Sequence, residues 1–146
     1  MRRLKRQWTG HVKLVLDTNV LVSALLTKGT PPDQLYQAWK ARRFELAIST
    51  WQIKELRRVL AYETLQPYVN GFEASLLLEN IDSLAQIVEV LTPHTASPDP
   101  DDNWILASAV AAGADLLVTG DKNDLLQLKQ VEAIEIVNVR TALEMV

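Results

Sequence analysis

Short apolar runs typical of β-strands alternate with helical segments along this chain, and this alternation constrains the fold more than any other feature. Strands are predicted at residues 11–16, 44–48, 87–91, 115–119 and 134–137. Helices are predicted at residues 20–26, 30–43, 72–84, 103–112 and 123–128, with another after Ser49 or Thr50. Such β–α–β units connect parallel strands and cover both faces of a sheet. The expected fold class is therefore α/β, a three-layer α/β/α sandwich with a central parallel sheet.

The length of the chain fits one domain with a single hydrophobic core, since it has 146 residues. We expect residues 11–146 to form that domain and the basic residues 1–10 to be an N-terminal extension, disordered or folded over a ligand. The longest apolar runs, such as residues 20–26, are too short to cross a bilayer. The sequence contains no cysteine, which excludes disulfides and zinc–thiolate sites. A cytoplasmic protein without membrane contact is expected.

Turn and cap residues predict where several helices begin and end. Thr30 before Pro31 is typical of a helix start. The prolines of residues 92–102 forbid regular structure up to the helix at residues 103–112. Gly113 is placed to end that helix in a left-handed conformation.

Four acids that are distant in sequence are predicted to meet at one edge of the sheet. Asp17 directly follows the first predicted strand, and Asp121 lies two residues after the strand at residues 115–119. Asp102 begins a helix, and Glu55 lies one turn into a helix. In open α/β sheets, ligands bind beyond the carboxyl ends of the strands. Further acids lie close to the same edge, at Asp99, Asp101 and Asp124.

Carboxylates crowded into one cleft repel one another, and a divalent cation reverses that cost. A site rich in oxygen, without cysteine and with only two histidines in the chain, suits Mg²⁺ or Mn²⁺ better than zinc. Such an ion activates water and neutralises charge on a phosphodiester during hydrolysis. The acids therefore predict a metal-dependent phosphodiesterase.

Each acid also has a purely structural interpretation. Asp101 or Asp102 would serve as a helix cap. Asp121 would belong to a turn with Gly120, and Glu55 would be a solvated helix position. Asp17, between two apolar runs, is poorly explained as a surface charge.

Two blocks of the sequence carry a family resemblance: VLDTNVLVSALL at residues 15–26 and DPDDNWILASAVAAGADLLVTGDKNDLL at residues 99–126. In these blocks the chain resembles the PIN-domain nucleases, and among them the VapC-type toxins of toxin–antitoxin systems. The resemblance implies a PIN-like fold and a metal-dependent endoribonuclease that uses Mg²⁺ or Mn²⁺. Its metal-binding acids would be Asp17, Glu55, Asp102 and Asp121.

The resemblance also implies supporting residues around these acids. Thr119 is expected to orient ligands or water, and Asp124 to add a further acid or an outer contact. Asn19 and Ser23 match polar positions of the first block and share one helix face. A purely structural interpretation is equally open, with Asn19 as a helix cap and Ser23 as a neutral helix residue.

Glu55 is assigned by position alone, and Glu45 and Glu63 are its competitors. Glycine-rich phosphate loops are absent. A haloacid-dehalogenase phosphatase would need an aspartate where Asn19 stands. The metal-dependent nuclease is therefore the enzyme class that the residues favour.

Contacts with RNA must come from local patches or bound metal, because the formal net charge is −3. Lys54, Arg57 and Arg58 form a basic stripe at helical spacing, which would bind phosphates or be merely solvated. Lys122 is a candidate for contact with the scissile phosphate.

The expected partners are an RNA substrate, a cognate antitoxin protein and a second copy of the chain in a homodimer. Apolar helix faces at residues 35–39 and 76–84 would serve that homodimer or the core. Two alternatives remain: a PIN-like module that binds RNA or protein without catalysis, and a housekeeping RNA-processing nuclease.

Overall fold

The structure, a computed structural model, describes residues 12–120 and 123–146, without the side chain of Asn123. The extension predicted at residues 1–10 lies outside this part. Six strands form one sheet: β1 (Lys13–Leu16), β2 (Glu45–Ser49), β3 (Gln86–Val88), β4 (Leu116–Thr119), β5 (Gln130–Val131) and β6 (Ile134–Asn138). Their order across the sheet is β3-β2-β1-β4-β6-β5.

The sheet is parallel except at one edge. The β1 strand pairs in parallel with β2 and β4, and the outer pairs β2–β3 and β4–β6 are parallel as well. The short β5 strand, which the sequence did not predict, is antiparallel to β6. Two residues separate these strands, and one of them, Glu132, has a φ of 52°. A two-residue connection of this kind joins antiparallel strands, whereas parallel strands need a longer crossover.

The helices that connect the strands also cover both faces of the sheet. The described residues contain α1 (Thr18–Leu26), α2 (Pro31–Lys40), α3 (Thr50–Leu60), α4 (Gly71–Leu84), α5 (Pro100–Ala112), α6 (Asn123–Leu128) and α7 (Val139–Met145). A turn of 3₁₀ helix at Gln66–Tyr68 precedes α4. The 3₁₀ turn and α7 are additions to the predicted elements.

The apolar core has two layers, because successive strand residues point to opposite faces. On one face Leu14, Leu46 and Leu116 pack with buried residues of α1, α2, α3, α4 and α7. On the other face Val15 and Leu117 pack with α5 and α6. The predicted three-layer α/β/α sandwich is therefore confirmed, with the antiparallel β5 as the departure from a fully parallel sheet.

Several predicted boundaries are wrong: the strand predicted at residues 87–91 ends at Val88, the helix predicted at residues 20–26 begins at Thr18, and the limits of α2 and α5 differ for local reasons. The α2 helix ends at Lys40 and not near residue 43, because Arg42 adopts a left-handed φ of 63°. The α5 helix begins at Pro100 and not at residue 103, because Asp99 caps it by accepting a hydrogen bond from the Asp101 backbone N–H at 2.9 Å. The predicted end of α5 is confirmed, since Gly113 has a φ of 62°.

Two apolar helix faces were considered for a homodimer, and they differ in burial. On α2, Leu35, Ala38 and Trp39 are buried in the core of the chain. On α4, Leu76 and Leu84 are exposed. The α2 face is therefore used within the chain itself. Across the described part of the chain, no helix combines the length and the apolar character needed to cross a membrane.

Candidate active site

Asp17 lies where the sequence predicted it, beyond the carboxyl end of β1. Its backbone N–H donates to the Val118 carbonyl at 2.8 Å, which extends the β1–β4 pairing by one residue. Asp17 then occupies the N-cap position of α1, and the residue is only 4% exposed. The carboxylate is therefore fixed at the junction of a strand and a helix, and the surface-charge interpretation is wrong.

Thr119, the last residue of β4, holds this carboxylate. Because Leu16 and Val118 are paired in register, the residues that follow them lie side by side. The Thr119 hydroxyl donates to Asp17 Oδ2 at 3.0 Å, and Thr119 is fully buried. A hydrogen bond to a carboxylate in a buried place restricts its orientation strongly.

Glu55 reaches the same edge from the second turn of α3. Its side chain is 12% exposed and accepts a hydrogen bond from the hydroxyl of Thr18, the first residue of α1. Glu55 is thus linked to the residue directly after Asp17. The interpretation of Glu55 as a solvated helix position is wrong. Its competitors lie elsewhere: Glu45 begins β2 at the opposite end of that strand, and Glu63 is exposed beyond α3.

The surroundings of Glu55 raise the pKa of its carboxyl above the usual value. Burial is the main cause that raises the pKa of its carboxyl, and the negative charges of Asp101 and Asp17 raise it further. The Thr18 hydroxyl and Arg58 act in the opposite direction and only partly offset these causes. The contributions of Asp101 and Asp17 are the repulsion between acids that the sequence predicted, and a bound cation would relieve it.

Asp102 is the most enclosed of the described acids, at 1% exposure. It is the third residue of α5, and Ser97 Oγ donates to its Oδ2 at 3.3 Å. Because Asp99 is the N-cap, the interpretation of Asp101 or Asp102 as the cap is wrong. A buried carboxylate in the first turn gains from the helix dipole, but its enclosure beside the sheet edge is not explained by capping.

Hydrogen bonds around Ser97 order the loop before α5, and Ser97 is the residue that contacts Asp102. The Ser97 backbone N–H donates to Asn103 Oδ1 at 2.9 Å, and Asn103 Nδ2 donates back to the Ser97 carbonyl at 2.8 Å. The Asp99 backbone N–H donates to Ser97 Oγ at 3.1 Å. These reciprocal bonds order a proline-rich segment that has no regular structure of its own.

Beneath the acids lies a buried polar group that the sequence reasoning missed. Gln52 is fully buried, and its Nε2 donates to the carbonyl of Leu16, directly before Asp17. Ser49 Oγ accepts from the Gln52 backbone N–H at 3.0 Å and lies 2.6 Å from Ser108 Oγ. Gln52 Oε1 has no hydrogen-bond partner among the described residues. The signal was available: Gln52 shares the buried face of α3 with Leu56 and Leu60, at a spacing of four residues.

The other predicted acids and basic residues differ in whether the structure describes them and in how exposed they are. Asp121 and Lys122 lie outside the described residues. Asp124 is exposed near the start of α6, and Lys54 and Arg57 are exposed on α3. Arg58 is turned toward its own helix: its Nη1 donates to the Tyr62 hydroxyl at 2.6 Å, and its Nη2 lies 3.9 Å from Glu55 Oε2.

Asn19 and Ser23 are exposed on α1. Because Asp17 occupies the N-cap position, the interpretation of Asn19 as the helix cap is wrong. Both residues line a cavity of about 410 Å³ beside the acids.

The donor set at this edge fits Mg²⁺ or Mn²⁺ in its chemistry, since Asp17, Glu55 and Asp102 offer only carboxylate oxygens. Within residues 12–120 and 123–146, no three acidic or histidine side chains are already arranged to hold a metal ion. The fourth predicted ligand, Asp121, is not among those residues. The burial of Asp17 and Asp102, and the negative charges of Asp101 and Asp17 beside the half-buried Glu55, are the observations that support a cation here.

Comparison with known proteins gives a consistent family and fold. A family model described as the PIN domain matches residues 13–123. An uncharacterized protein of Methanocaldococcus jannaschii, MJ1680, is 25% identical over 123 residues, which cover 81% of this chain and 76% of that protein.

Several crystal structures share the fold at low sequence identity. VapBC2 from Rickettsia felis bound to a DNA fragment from their promoter matches with a TM-score of 0.55 and 20% identity, over 87% of this chain and 98% of that chain. PAE2754 from Pyrobaculum aerophilum matches with a TM-score of 0.54 and 22% identity, over 91% and 88%. FitAcB from Neisseria gonorrhoeae matches with a TM-score of 0.54 and 19% identity, over 87% and 98%.

Proposed function

Because this chain belongs to the PIN-domain family, whose members are generally nucleases, we propose that it is a metal-dependent endoribonuclease. The observation that carries the proposal is the pair of hydroxyl–carboxylate contacts at the sheet edge. The Thr119 hydroxyl donates a hydrogen bond to Asp17. The hydroxyl of Thr18, the residue directly after Asp17, donates to Glu55. Together they fix two acids from distant parts of the sequence at one place.

Four acids would hold the cation: Asp17, Glu55, Asp102 and Asp121. When bound, Mg²⁺ or Mn²⁺ supplies an activated water and neutralises negative charge on the phosphodiester. The protein's own contribution is to orient the ligands. Hydroxyl groups that donate to carboxylates restrict the orientation of those ligands, and outer contacts of this kind tune metal sites.

We further propose that the chain acts as the toxin of a toxin–antitoxin pair, with a cognate antitoxin protein as its partner. The support is the resemblance to the VapC-type toxins together with the shared fold of VapBC2, whose structure includes promoter DNA. The FitAB complex bound to a DNA fragment shares this fold as well, with a TM-score of 0.55.

The nuclease proposal is tested by incubating the purified protein with single-stranded RNA in Mg²⁺, in Mn²⁺ and with a chelator. We expect cleavage with either metal and none with the chelator. Asp17→Asn and Asp102→Asn should each lower the cleavage rate by about 100-fold or more, because each removes a charged ligand oxygen. Asp82→Asn is the matched control, since Asp82 is exposed on α4 away from the sheet edge.

Two results would contradict the proposal. One is the absence of metal-dependent cleavage by the wild-type protein, which would favour a PIN-like module that binds without catalysis. The other is equal cleavage by Asp17→Asn and the Asp82→Asn control, which would assign the activity to a contaminant.

A further inference from the structure

A groove of about 410 Å³ opens beside the acidic site and has no assigned role. It is lined by Asn19 and Ser23 of α1, Pro31 of α2, Gly120 after β4, and Asn138 and Arg140 at the start of α7. We call this the Arg140 groove. Its volume lies in the range of sites that bind small organic groups.

The Arg140 groove adjoins the acids through the chain itself. Asn19 is two residues after Asp17 on the first turn of α1. Gly120 directly follows Thr119, whose hydroxyl donates to the Asp17 carboxylate. The lining of the groove therefore begins two residues after Asp17 on α1 and one residue after Thr119.

Arg140 gives the groove a positive charge that no described acid neutralises. It is exposed, it lines the groove, and within the described part of the chain it forms no ion pair. Two other arginines are engaged within the chain, and a third lies at the opposite edge of the sheet. Arg58 contacts Glu55 and Tyr62, and Arg43 Nη2 donates to the Val146 carbonyl at 2.9 Å. Arg42 lies before the start of β2, at the opposite edge of the sheet.

The rest of the lining is neutral, with both polar and apolar groups. Asn138 Oδ1 accepts from the Thr141 backbone N–H at 2.8 Å to cap α7, so its Nδ2 is the donor left for a ligand. Asn19 and Ser23 offer an amide and a hydroxyl, and Pro31 offers an apolar ring surface. A cation, amide groups and apolar carbon together match a nucleotide: its phosphate, its base edge and its ring face.

We propose that the Arg140 groove binds the nucleotide next to the cleaved phosphodiester, with the Arg140 guanidinium on its phosphate. This inference rests on the proposed ribonuclease function and adds a binding site to it. The acids alone repel a polyanion, and the net charge of the chain is −3. A cation beside the acidic site therefore offsets repulsion where the strand continues away from the metal.

The test is the affinity for a fluorescein-labelled single-stranded RNA, measured by anisotropy in the Asp17→Asn background so that cleavage does not interfere. Arg140→Gln should weaken binding by about 5- to 20-fold and reduce the slope of log K against log salt by about 0.7. Arg140→Lys keeps the charge without the bidentate geometry and should recover most of the affinity. Arg42→Gln, which removes the same charge at the opposite edge, should leave the affinity unchanged. Thermal melting checks that each variant is folded.

Wild-type cleavage of the same RNA separates the outcomes. If the wild type cleaves and only Arg140→Gln binds more weakly, the groove proposal is supported. If the wild type cleaves but Arg140→Gln binds as tightly as its parent, or no more weakly than Arg42→Gln, the groove proposal is overturned and the nuclease proposal stands. If the wild type does not cleave RNA in either metal, both proposals fail.

Discussion

At the scale of single residues, neighbouring hydroxyl groups decide how the acids are held. Asp17 and Glu55 are fixed by threonines that are themselves buried, Thr119 and Thr18. Burial raises the pKa of the Glu55 carboxyl, and the negative charges of Asp101 and Asp17 raise it further. The threonines therefore hold together acids whose negative charges repel one another.

Thr119→Val tests this role, because valine keeps the shape of the side chain and removes the hydroxyl. We expect the affinity for Mn²⁺ and the cleavage rate to fall by about 10- to 100-fold, as when other outer contacts of metal ligands are removed. Thr64→Val is the control, since Thr64 is exposed in a turn beyond the end of α3 and contacts none of the acids of the site in any described hydrogen bond. An unchanged Mn²⁺ affinity in Thr119→Val would show that the hydroxyl does not orient Asp17.

Single residues also show how far sequence reasoning reached. Asp17 could be placed because a strand end and a motif both pointed to it. Asp102 could not be separated from a helix cap until the structure placed Asp99 at that position. Gln52 was missed because an amide on an apolar helix face carries no motif, although its four-residue spacing from Leu56 marks it as buried.

At the scale of elements, Asp17 and Asp102 lie at the beginnings of helices. The boundaries of the helices follow from cap and turn residues. The α1 and α5 helices both begin at the carboxyl edge of the sheet and carry Asp17 and Asp102 in or next to their first turns. Gly113 ends α5 with a left-handed φ of 62°, so the chain can enter β4 at once. Antiparallel β5 was not predicted because two residues carry too little pattern to be recognised.

Replacing glycines with alanine separates backbone strain from steric contact. A Cβ at Gly113 would meet nothing within 4 Å, so Gly113→Ala should cost only the left-handed backbone, about 1–2 kcal/mol in the free energy of unfolding. Gly71, at the start of α4, is equally open and has no positive φ. Gly71→Ala should therefore be neutral or stabilising by about 0.4–1 kcal/mol. Urea denaturation measures both, and equal effects of the two variants would contradict this explanation.

At the scale of the whole molecule, the parallel sheet brings two acids that are distant in sequence, Asp17 and Glu55, to one edge. The alternation of strands and helices was sufficient to predict that sheet and the edge at which Asp17 and Glu55 lie. The strand order across the sheet was not predictable, because periodicity within a strand carries no information about which strand lies beside it. The order places β1 between β2 and β4, so the segments after all three strands meet around Asp17.

The central claim is that this edge binds a divalent cation, and titration calorimetry with Mn²⁺ tests it most directly. The account predicts saturable binding to the wild-type protein and to the Asp82→Asn control. Thermal melting first checks that Asp17→Asn and Asp102→Asn are folded. Both variants should then bind Mn²⁺ at least about 10-fold more weakly than the wild type. Equal Mn²⁺ affinity in all four proteins, or no binding to the wild type, would contradict the account.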